Sequence, residues 1–137
     1  MTGLVSFIGA GPGAADLITL RGAQRIAQAD IVIWAASLVH EDVLLHASPT
    51  AQVVNSAEHS LEGITEHYER AAAEGLRVAR SHSGDPALWG GTQEQHELCT
   101  RLGLDTEVIP GVSSFSAVAA LVQRELTIPE VAQSVVL

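Results

Sequence analysis

Lysine is absent from the 137-residue sequence, and all seven basic residues are arginine. Without lysine the chain cannot form a Schiff base, hold pyridoxal phosphate covalently or supply the lysine of a P-loop. Cysteine occurs once, at Cys99, so an internal disulfide is excluded. The amino terminus also lacks the basic start and the long apolar segment of a secretory signal. We therefore expect a cytoplasmic protein outside those lysine-dependent enzyme classes.

Long hydrophobic runs and an excess of positive charge are missing too. No apolar run approaches the roughly 20 residues that a membrane helix needs. The net charge is −9, so the summed field of the protein repels a nucleic-acid backbone. The six histidines show no tight metal-ligand spacing. We expect no membrane, nucleic-acid or metal partner, and at this length one compact domain.

What is present is an alternation of short apolar runs with segments of helical periodicity. Strands that alternate with helices form parallel βαβ units. The pattern predicts an α/β fold with a five-stranded, mostly parallel sheet flanked by helices. The predicted strands are LVSFIG, DIVIWA, AQVVN, LRVARSH and DTEVIP.

The spacing of residues between the strands predicts which face of each helix packs on the sheet. Ser60 stands where an N-cap of the second helix is expected, and Gly75 follows its predicted end. The predicted inward residues are Leu17, Leu20, Ala23 and Ala27 in the first helix, Leu61, Ile64, Tyr68 and Ala71 in the second, and Leu88, Thr92, Gln95, Cys99 and Leu102 in the third.

The sequence changes character after a helix predicted to begin at Ser113. Pro129 stops a helix, and the final SVVL has the composition of a new strand. We therefore predict an α/β domain over residues 1–122. Residues 123–137 are then a linker and the start of a second α/β domain that the sequence does not include.

Three glycines and a proline occur where the first predicted strand ends, in GAGPGA, residues 9–14. The pattern satisfies the G-x-G-x-x-G/A fingerprint of dinucleotide-binding folds. That fold also needs an acidic residue at the end of the second strand, whereas the acid here, Asp30, stands at its start. Pro12 further removes a backbone N–H from a phosphate cradle. The glycines equally fit a sharp turn from strand to helix without any ligand.

Two further turns contain glycine, HSGDPALWGG after the fourth predicted strand and IPGVSSFSA after the fifth. Helix capping alone accounts for Asp85 as an N-cap with Pro86 at the first helical position, and for Ser113 or Ser114 as the next N-cap. In a parallel sheet, however, loops after all these strands open at the carboxyl edge, where such sheets bind ligands. The sequence therefore predicts one shared pocket.

The motifs GAGPG with DLITLRG, SGDPALWG and IPGVSSFSA, in this order and spacing, resemble the amino-terminal domain of the tetrapyrrole methylases over essentially the whole chain. The resemblance implies S-adenosylmethionine as cofactor, S-adenosylhomocysteine as product, a second domain that completes the cleft, and a homodimer. The segments WAASLVHEDVL and RELTIPEVAQSVVL are most similar to members that methylate a precorrin, with or without cobalt, in cobalamin biosynthesis. The alternatives are an enzyme of this fold that methylates another tetrapyrrole carbon, or a nucleotide-binding module without catalysis.

Matched motif to motif, the resemblance also implies individual site residues, and it assigns no catalytic acid or base. Family members commonly have aspartate where this sequence has Ala14, so no acid is expected to act there. Trp89 stands where tyrosine is frequent, and it flanks the cofactor, caps the edge of the sheet or packs on a helix face. For a polycarboxylate substrate, the nearest arginines in sequence are Arg21, Arg25 and Arg80. The implied cofactor contacts are Pro12, Ser83, Gly84, Asp85, Leu88, Ser113 and Ser114.

Overall fold

The computed structural model describes residues 2–137, which form a sheet of five strands in the order β3-β2-β4-β1-β5. Every neighbouring pair of strands is parallel. The predicted α/β fold is therefore confirmed, and each strand lies within its predicted run. The strands are β1 Leu4–Gly9, β2 Ile31–Trp34, β3 Gln52–Asn55, β4 Arg77–His82 and β5 Asp105–Ile109.

Helices connect the strands in the order that the sequence predicts. Within residues 2–137 the α-helices are α1 Leu20–Ala27, α2 Leu61–Glu74, α3 Thr92–Arg101 and α4 Ser114–Leu121. Short 3₁₀ segments cover Ala15–Leu17, Glu41–His46 and Ser56–Glu58.

Apolar layers cover both faces of the sheet. On one face the strands pack against Ile64 and Tyr68 of α2 and Cys99 of α3. On the other they pack against Ile26 of α1 and Val43 of a 3₁₀ segment. Burial raises the pKa of the Cys99 thiol to about 11. The thiol is therefore protonated near neutral pH and serves as a small core residue.

The second helix begins and ends as predicted. The Gly63 N–H donates a hydrogen bond to Ser60 Oγ at 3.2 Å, which caps the amino terminus. Gly75 ends the helix in the left-handed conformation, with φ of +68°. Of the four residues predicted to face inward, three are buried and Leu61 is exposed.

The predicted inward face of α1 is wrong. Leu17 and Leu20 are exposed, and the buried residues of the helix are Gly22 and Ile26. Both faces carry apolar residues at helical spacing, so periodicity alone does not choose between them. The helix turns Gly22 toward the sheet because a backbone without Cβ approaches closely: a Cβ at this position would lie 3.0 Å from Ile8 Cγ2.

The final strand predicted from SVVL is also wrong. Among the described residues, 133–137 contain no strand, and residues 121–137 are all exposed. The chain instead folds back locally in a bridge between Ile128 and Ala132 around Pro129. A lone strand gains little without a neighbour to pair with. The domain boundary at residue 122 stays a prediction.

Candidate functional site

The loops that follow β1 and β4 are joined at the carboxyl edge of the sheet. Gly84 N–H donates to the Gly11 carbonyl at 2.8 Å, and Gly11 N–H donates to the Gly84 carbonyl at 3.3 Å. The Ala10 N–H donates to the His82 carbonyl at 2.7 Å. These bonds continue the contact between the two strands into their loops.

The loop after β5 touches both of the others, and glycine is required where the three meet. A Cβ on Gly9 would lie 2.5 Å from Gly111 Cα and 2.6 Å from the Gly84 carbonyl oxygen. A Cβ on Gly111 would collide with the same oxygen. Gly84 itself has φ of +62°, which favours glycine. The predicted convergence of three glycine-containing turns is therefore confirmed, and close approach of backbones explains the glycines.

Asp85 ties the second loop to the third. Its Oδ1 accepts a hydrogen bond from Ala87 N–H at 2.8 Å, and its Oδ2 accepts one from Gly111 N–H at 3.0 Å. The prediction that Asp85 caps a helix is wrong, because the chain turns after Pro86 and α3 begins only at Thr92. The carboxylate instead fixes the distance between two loops.

A cavity of about 300 Å³ opens beside this junction. Its volume is at the lower end of the roughly 300–1,000 Å³ of small-molecule sites. Of the seven residues that the sequence assigns to the cofactor, all but Pro12 line the cavity. Leu88 reaches it from the turn before α3, and not from the helix in which it was predicted.

The amino terminus of α4 faces this cavity. Ser113 occupies the N-cap position, but its side chain makes no capping hydrogen bond within residues 2–137. The first N–H groups of a helix have no intrahelical partner. Ser113 and Ser114 therefore bring hydroxyls and backbone donors to the cavity lining.

The structure adds lining residues that the sequence reasoning missed, among them Ala35, Leu38, Ser81, His82 and Phe115. The first two follow β2, which also ends at the carboxyl edge, so the topology alone could have nominated them. Ser81 and His82 directly precede the SGDP motif. Their role becomes visible only once β4 is seen to end at the cavity.

Two buried polar atoms of the lining have no hydrogen-bond partner within residues 2–137, namely Ser81 Oγ and His82 Nε2. The two residues are 1% and 6% exposed. Nearly all buried polar groups are hydrogen-bonded, so unpaired ones mark a place that a ligand can complete. Burial and the charge of Arg80 lower the pKa of His82 to about 4, against a hydrogen bond with the Gly90 backbone that raises it.

The depressed pKa of His82 predicts a loss of stability in mild acid. An unfolded histidine titrates near pH 6.5 and the folded one near 4, so the folded state resists protonation. The contribution of His82 to the free energy of unfolding is complete above pH 6.5, and it falls by up to about 3 kcal/mol as the pH drops to 4. Urea unfolding at pH 7.0 and pH 4.5 measures it.

The matched comparison for this prediction is between His82→Gln and His46→Gln, which removes a histidine outside the cavity lining. We expect the first variant to lose less stability than the wild type between the two pH values, and the second to behave like the wild type. Equal pH dependence in the wild type and His82→Gln contradicts the prediction.

Trp89 stands at the rim of the cavity and is 86% exposed. Packing on a helix face, one of its three predicted roles, is therefore excluded. Its φ of +54° lies in the left-handed region, which is a genuine outlier for a bulky residue. Such backbone strain is of order 1–3 kcal/mol and is concentrated at functional sites. The strained turn holds a flat aromatic ring beside the cavity.

Of the three candidate arginines, Arg80 is the one that the described lining contains. Arg25 lies on the α1 face and pairs with Glu107 of β5, with 2.5 Å between Nε and Oε1. This hydrogen bond and ion pair raise the pKa of Arg25. Arg21 is exposed on α1. One of the three arginines that the sequence nominates thus lies at the cavity, and a role in substrate binding stays a prediction.

Across residues 2–137, no helix combines the length and apolar character needed to cross a bilayer. The same residues hold no group of three or more histidine, cysteine, aspartate or glutamate side chains placed to bind a metal ion.

Comparison with known proteins gives consistent matches. The sequence profile of the Tetrapyrrole (Corrin/Porphyrin) Methylases matches residues 4–137. Precorrin-4 C(11)-methyltransferase of Sinorhizobium sp is 48% identical over 133 residues, which are 97% of this chain and 53% of that protein. The X-ray structure of a cobalt precorrin-4 methyltransferase, a cobalamin biosynthetic enzyme, has a TM-score of 0.92 at 43% identity and covers 97% of this chain and 56% of its own.

A third relative was solved with a ligand. Uroporphyrin-III C-methyl transferase from Thermus thermophilus, in complex with S-adenosylhomocysteine, has a TM-score of 0.77 at 31% identity. The match covers 96% of this chain and 53% of that structure. The chain spans about half the length of the curated relatives it matches.

Proposed function

Because the chain belongs to the tetrapyrrole methylase family, we propose that its cavity binds S-adenosylmethionine and that the protein methylates C11 of precorrin-4 in cobalamin biosynthesis. The observation that carries the proposal is the contact of three glycine-containing loops around one cavity at the carboxyl edge of the sheet. Relatives named for this reaction are 43% to 48% identical over 97% of the chain. The names of these relatives include both precorrin-4 and cobalt-precorrin-4 as substrate.

The cavity lining suits this cofactor. Its buried unpaired atoms, Ser81 Oγ and His82 Nε2, are polar and uncharged near pH 7, as adenine and ribose partners should be. The close contact of Gly84 with Gly111 brings backbone groups up to the cavity without side chains between them. Ser113 and the first turn of α4 add hydroxyl and N–H donors for polar groups of the ligand.

The cofactor, when bound, supplies a methyl group on a positively charged sulfur. Transfer of a methyl group in line to a carbon depends mostly on alignment. The residues of this chain bind and orient the ligand: Asp85 holds two loops together, and Ser113 and Ser114 line the cavity beside them. We assign no residue of the chain as a catalytic acid or base.

A nicotinamide dinucleotide is the competing ligand of the glycine loop, and one contact disfavours it. Dinucleotide-binding folds place an acidic side chain at the carboxyl end of β2 to hold a ribose. The acid of this strand, Asp30, lies at the opposite end, where its Oδ2 accepts a hydrogen bond from Arg77 N–H at 2.8 Å. The residues after β2 are Ala35 and Ala36.

We also propose that the open side of the cavity is covered in the active enzyme by protein surface outside residues 1–137. Trp89 and Leu38 at the cavity are 86% and 70% exposed, and Leu121 of α4 is 84% exposed. Apolar surface of this kind is typical of contacts with a further domain or subunit. A second α/β domain in a homodimer, as the sequence resemblance implies, fits this surface.

Calorimetric titration with S-adenosylhomocysteine and with NAD tests the proposed cofactor. We expect S-adenosylhomocysteine to bind with one site per chain, and NAD to bind weakly or undetectably. Binding of NAD without binding of S-adenosylhomocysteine contradicts the proposal. Adenosine serves as a control for affinity that comes from the nucleoside alone.

A further inference from the structure

Arg80 carries a positive charge that the described part of the chain does not neutralise. Its Nε donates a hydrogen bond to Gln95 Oε1 at 3.1 Å, and its Nη1 donates one to Ser56 Oγ at 3.3 Å. Both acceptors are uncharged. Among residues 2–137 its guanidinium forms no ion pair, whereas Arg25 and Arg70 each pair with a glutamate.

The neutral acceptors are themselves held in place. Gln95 Oε1 also accepts a hydrogen bond from the Tyr68 hydroxyl at 2.9 Å, and Ser56 Oγ donates to the Trp34 carbonyl at 3.2 Å. Burial raises the pKa of Tyr68, so its phenol stays neutral. The guanidinium of Arg80 is therefore fixed in position by α3 and by the segment after β3, with no opposite charge beside it.

Burial of the Arg80 guanidinium is energetically unfavourable unless an anion binds beside it. Its side chain is largely buried, and burial lowers the pKa of Arg80, but arginine remains charged in proteins. A charge withdrawn from water is unfavourable without a partner of opposite sign. The cavity lining includes Arg80, so a ligand can reach it.

His82 supplies a second observation at the same place. It lies two positions after Arg80 on β4, and side chains two apart on a strand share a face. Its Nε2 has no hydrogen-bond partner within residues 2–137, and the residue also lines the cavity. Two neighbouring side chains at the end of β4 thus leave polar groups unpaired where a ligand would lie.

We propose that Arg80 is the carboxylate-binding residue of the cavity and that it pairs with a carboxylate of the bound ligand. A planar guanidinium matches a carboxylate with two parallel hydrogen bonds. Its Nη2 makes no hydrogen bond within the described chain and is available for this contact. The inference rests on the proposed function, which offers two carboxylate sources: the amino-acid end of S-adenosylmethionine and the acid side chains of the tetrapyrrole.

The test compares Arg80→Gln with the wild type in titrations of three ligands. S-adenosylhomocysteine carries the cofactor carboxylate, 5′-methylthioadenosine has the same nucleoside and sulfur without it, and uroporphyrin carries the tetrapyrrole carboxylates. Loss of a hydrogen bond to a charged group weakens binding about tenfold to a hundredfold. We expect that loss for one carboxylate ligand and no change for 5′-methylthioadenosine.

The outcomes separate the two sources and the two proposals. Weaker binding of S-adenosylhomocysteine assigns Arg80 to the cofactor, and weaker binding of uroporphyrin alone assigns it to the substrate. Unchanged binding of both, or an equal loss for 5′-methylthioadenosine, overturns the role of Arg80 while the proposed function stands. A wild-type protein that binds none of the three ligands contradicts the proposed function itself.

Two further variants guard against a loss that comes from folding. Arg80→Lys keeps the positive charge but loses the planar pair of N–H donors, so it should retain part of the affinity. Arg101→Gln removes an exposed arginine of α3 and serves as the control. If Arg80→Gln does not fold, nitrogen-15 labelling of arginine in the wild type gives the answer. The Arg80 side-chain signal, assigned from the Arg80→Lys spectrum, should shift with the carboxylate ligand and not with 5′-methylthioadenosine; an equal shift with both overturns the proposal.

Discussion

Gly111→Ala is expected to destabilise the protein by about 3 kcal/mol and to abolish ligand binding at the cavity, although it adds a single methyl group. The new Cβ would collide with the Gly84 carbonyl oxygen and lie 2.7 Å from Gly9 Cα. Both obstacles are backbone atoms, so no side-chain rotation relieves the contact. The loops after β1, β4 and β5 must therefore move apart, and the cavity beside them changes shape.

Urea unfolding followed by circular dichroism measures the loss, and titration with S-adenosylhomocysteine measures the effect on the site. Gly63→Ala is the matched control, because a Cβ there meets its nearest neighbour, in His59, at an ordinary 3.5 Å. Gly63 lies inside α2, where alanine is favoured over glycine by about 1 kcal/mol. The prediction is wrong if the two variants change stability by similar amounts in the same direction.

The sheet could be predicted from the sequence because its central strands are buried on both faces. Such strands read as short continuous apolar runs, and their alternation with helical segments leaves parallel pairing as the natural arrangement. β1 shows the effect most clearly, with five of its six residues buried. The carboxyl edge then follows from topology, which is why three loops far apart in sequence could be assigned to one place.

The faces of the helices were less predictable, as α1 demonstrates. Leu20 and Ile26 lie on different sides of the helix, and both sides carry apolar residues at helical spacing. The choice depends on how closely the helix approaches Ile8, which is a property of the packed structure. Gly22 determines which face of α1 packs on the sheet. From sequence alone, however, a glycine inside a helix indicates a loss of helix stability and does not indicate a close packing contact.

The roles of the polar residues at the site could not be predicted, because their hydrogen-bond and ion-pair partners are distant in sequence. The sequence offers Arg25 and Arg80 as the same kind of candidate, and the structure separates them because Glu107 neutralises only Arg25. Glu107 is 82 positions away along the chain. In the same way Asp85 looked like a helix cap, whereas its second oxygen reaches Gly111, 26 positions away. Long-range pairs of this kind fix the chemistry of the cavity.

Asp85→Ala is expected to cause the second large effect, because this carboxylate is the polar link between the loops after β4 and β5. It accepts hydrogen bonds from Ala87 N–H and Gly111 N–H, and both donors lose their partner in the variant. Hydrogen bonds to a charged group contribute about 1.5–3 kcal/mol in favourable cases. Because the site is partly open to water, we expect a loss of about 2 kcal/mol in stability and at least about tenfold in affinity for S-adenosylhomocysteine.

Asp85→Asn tests how much each of the two hydrogen bonds contributes, the one to Gly111 N–H between the loops and the one to Ala87 N–H within the loop after β4. The amide has a single acceptor oxygen, so it preserves one of the two hydrogen bonds and should lose about half as much stability. Asp16→Ala removes an exposed acid from the first loop, close in sequence to the same glycines, and controls for the change in net charge. If Asp16→Ala weakens the binding of S-adenosylhomocysteine as much as Asp85→Ala does, the effect is one of overall charge, and Asp85 does not hold the loops together.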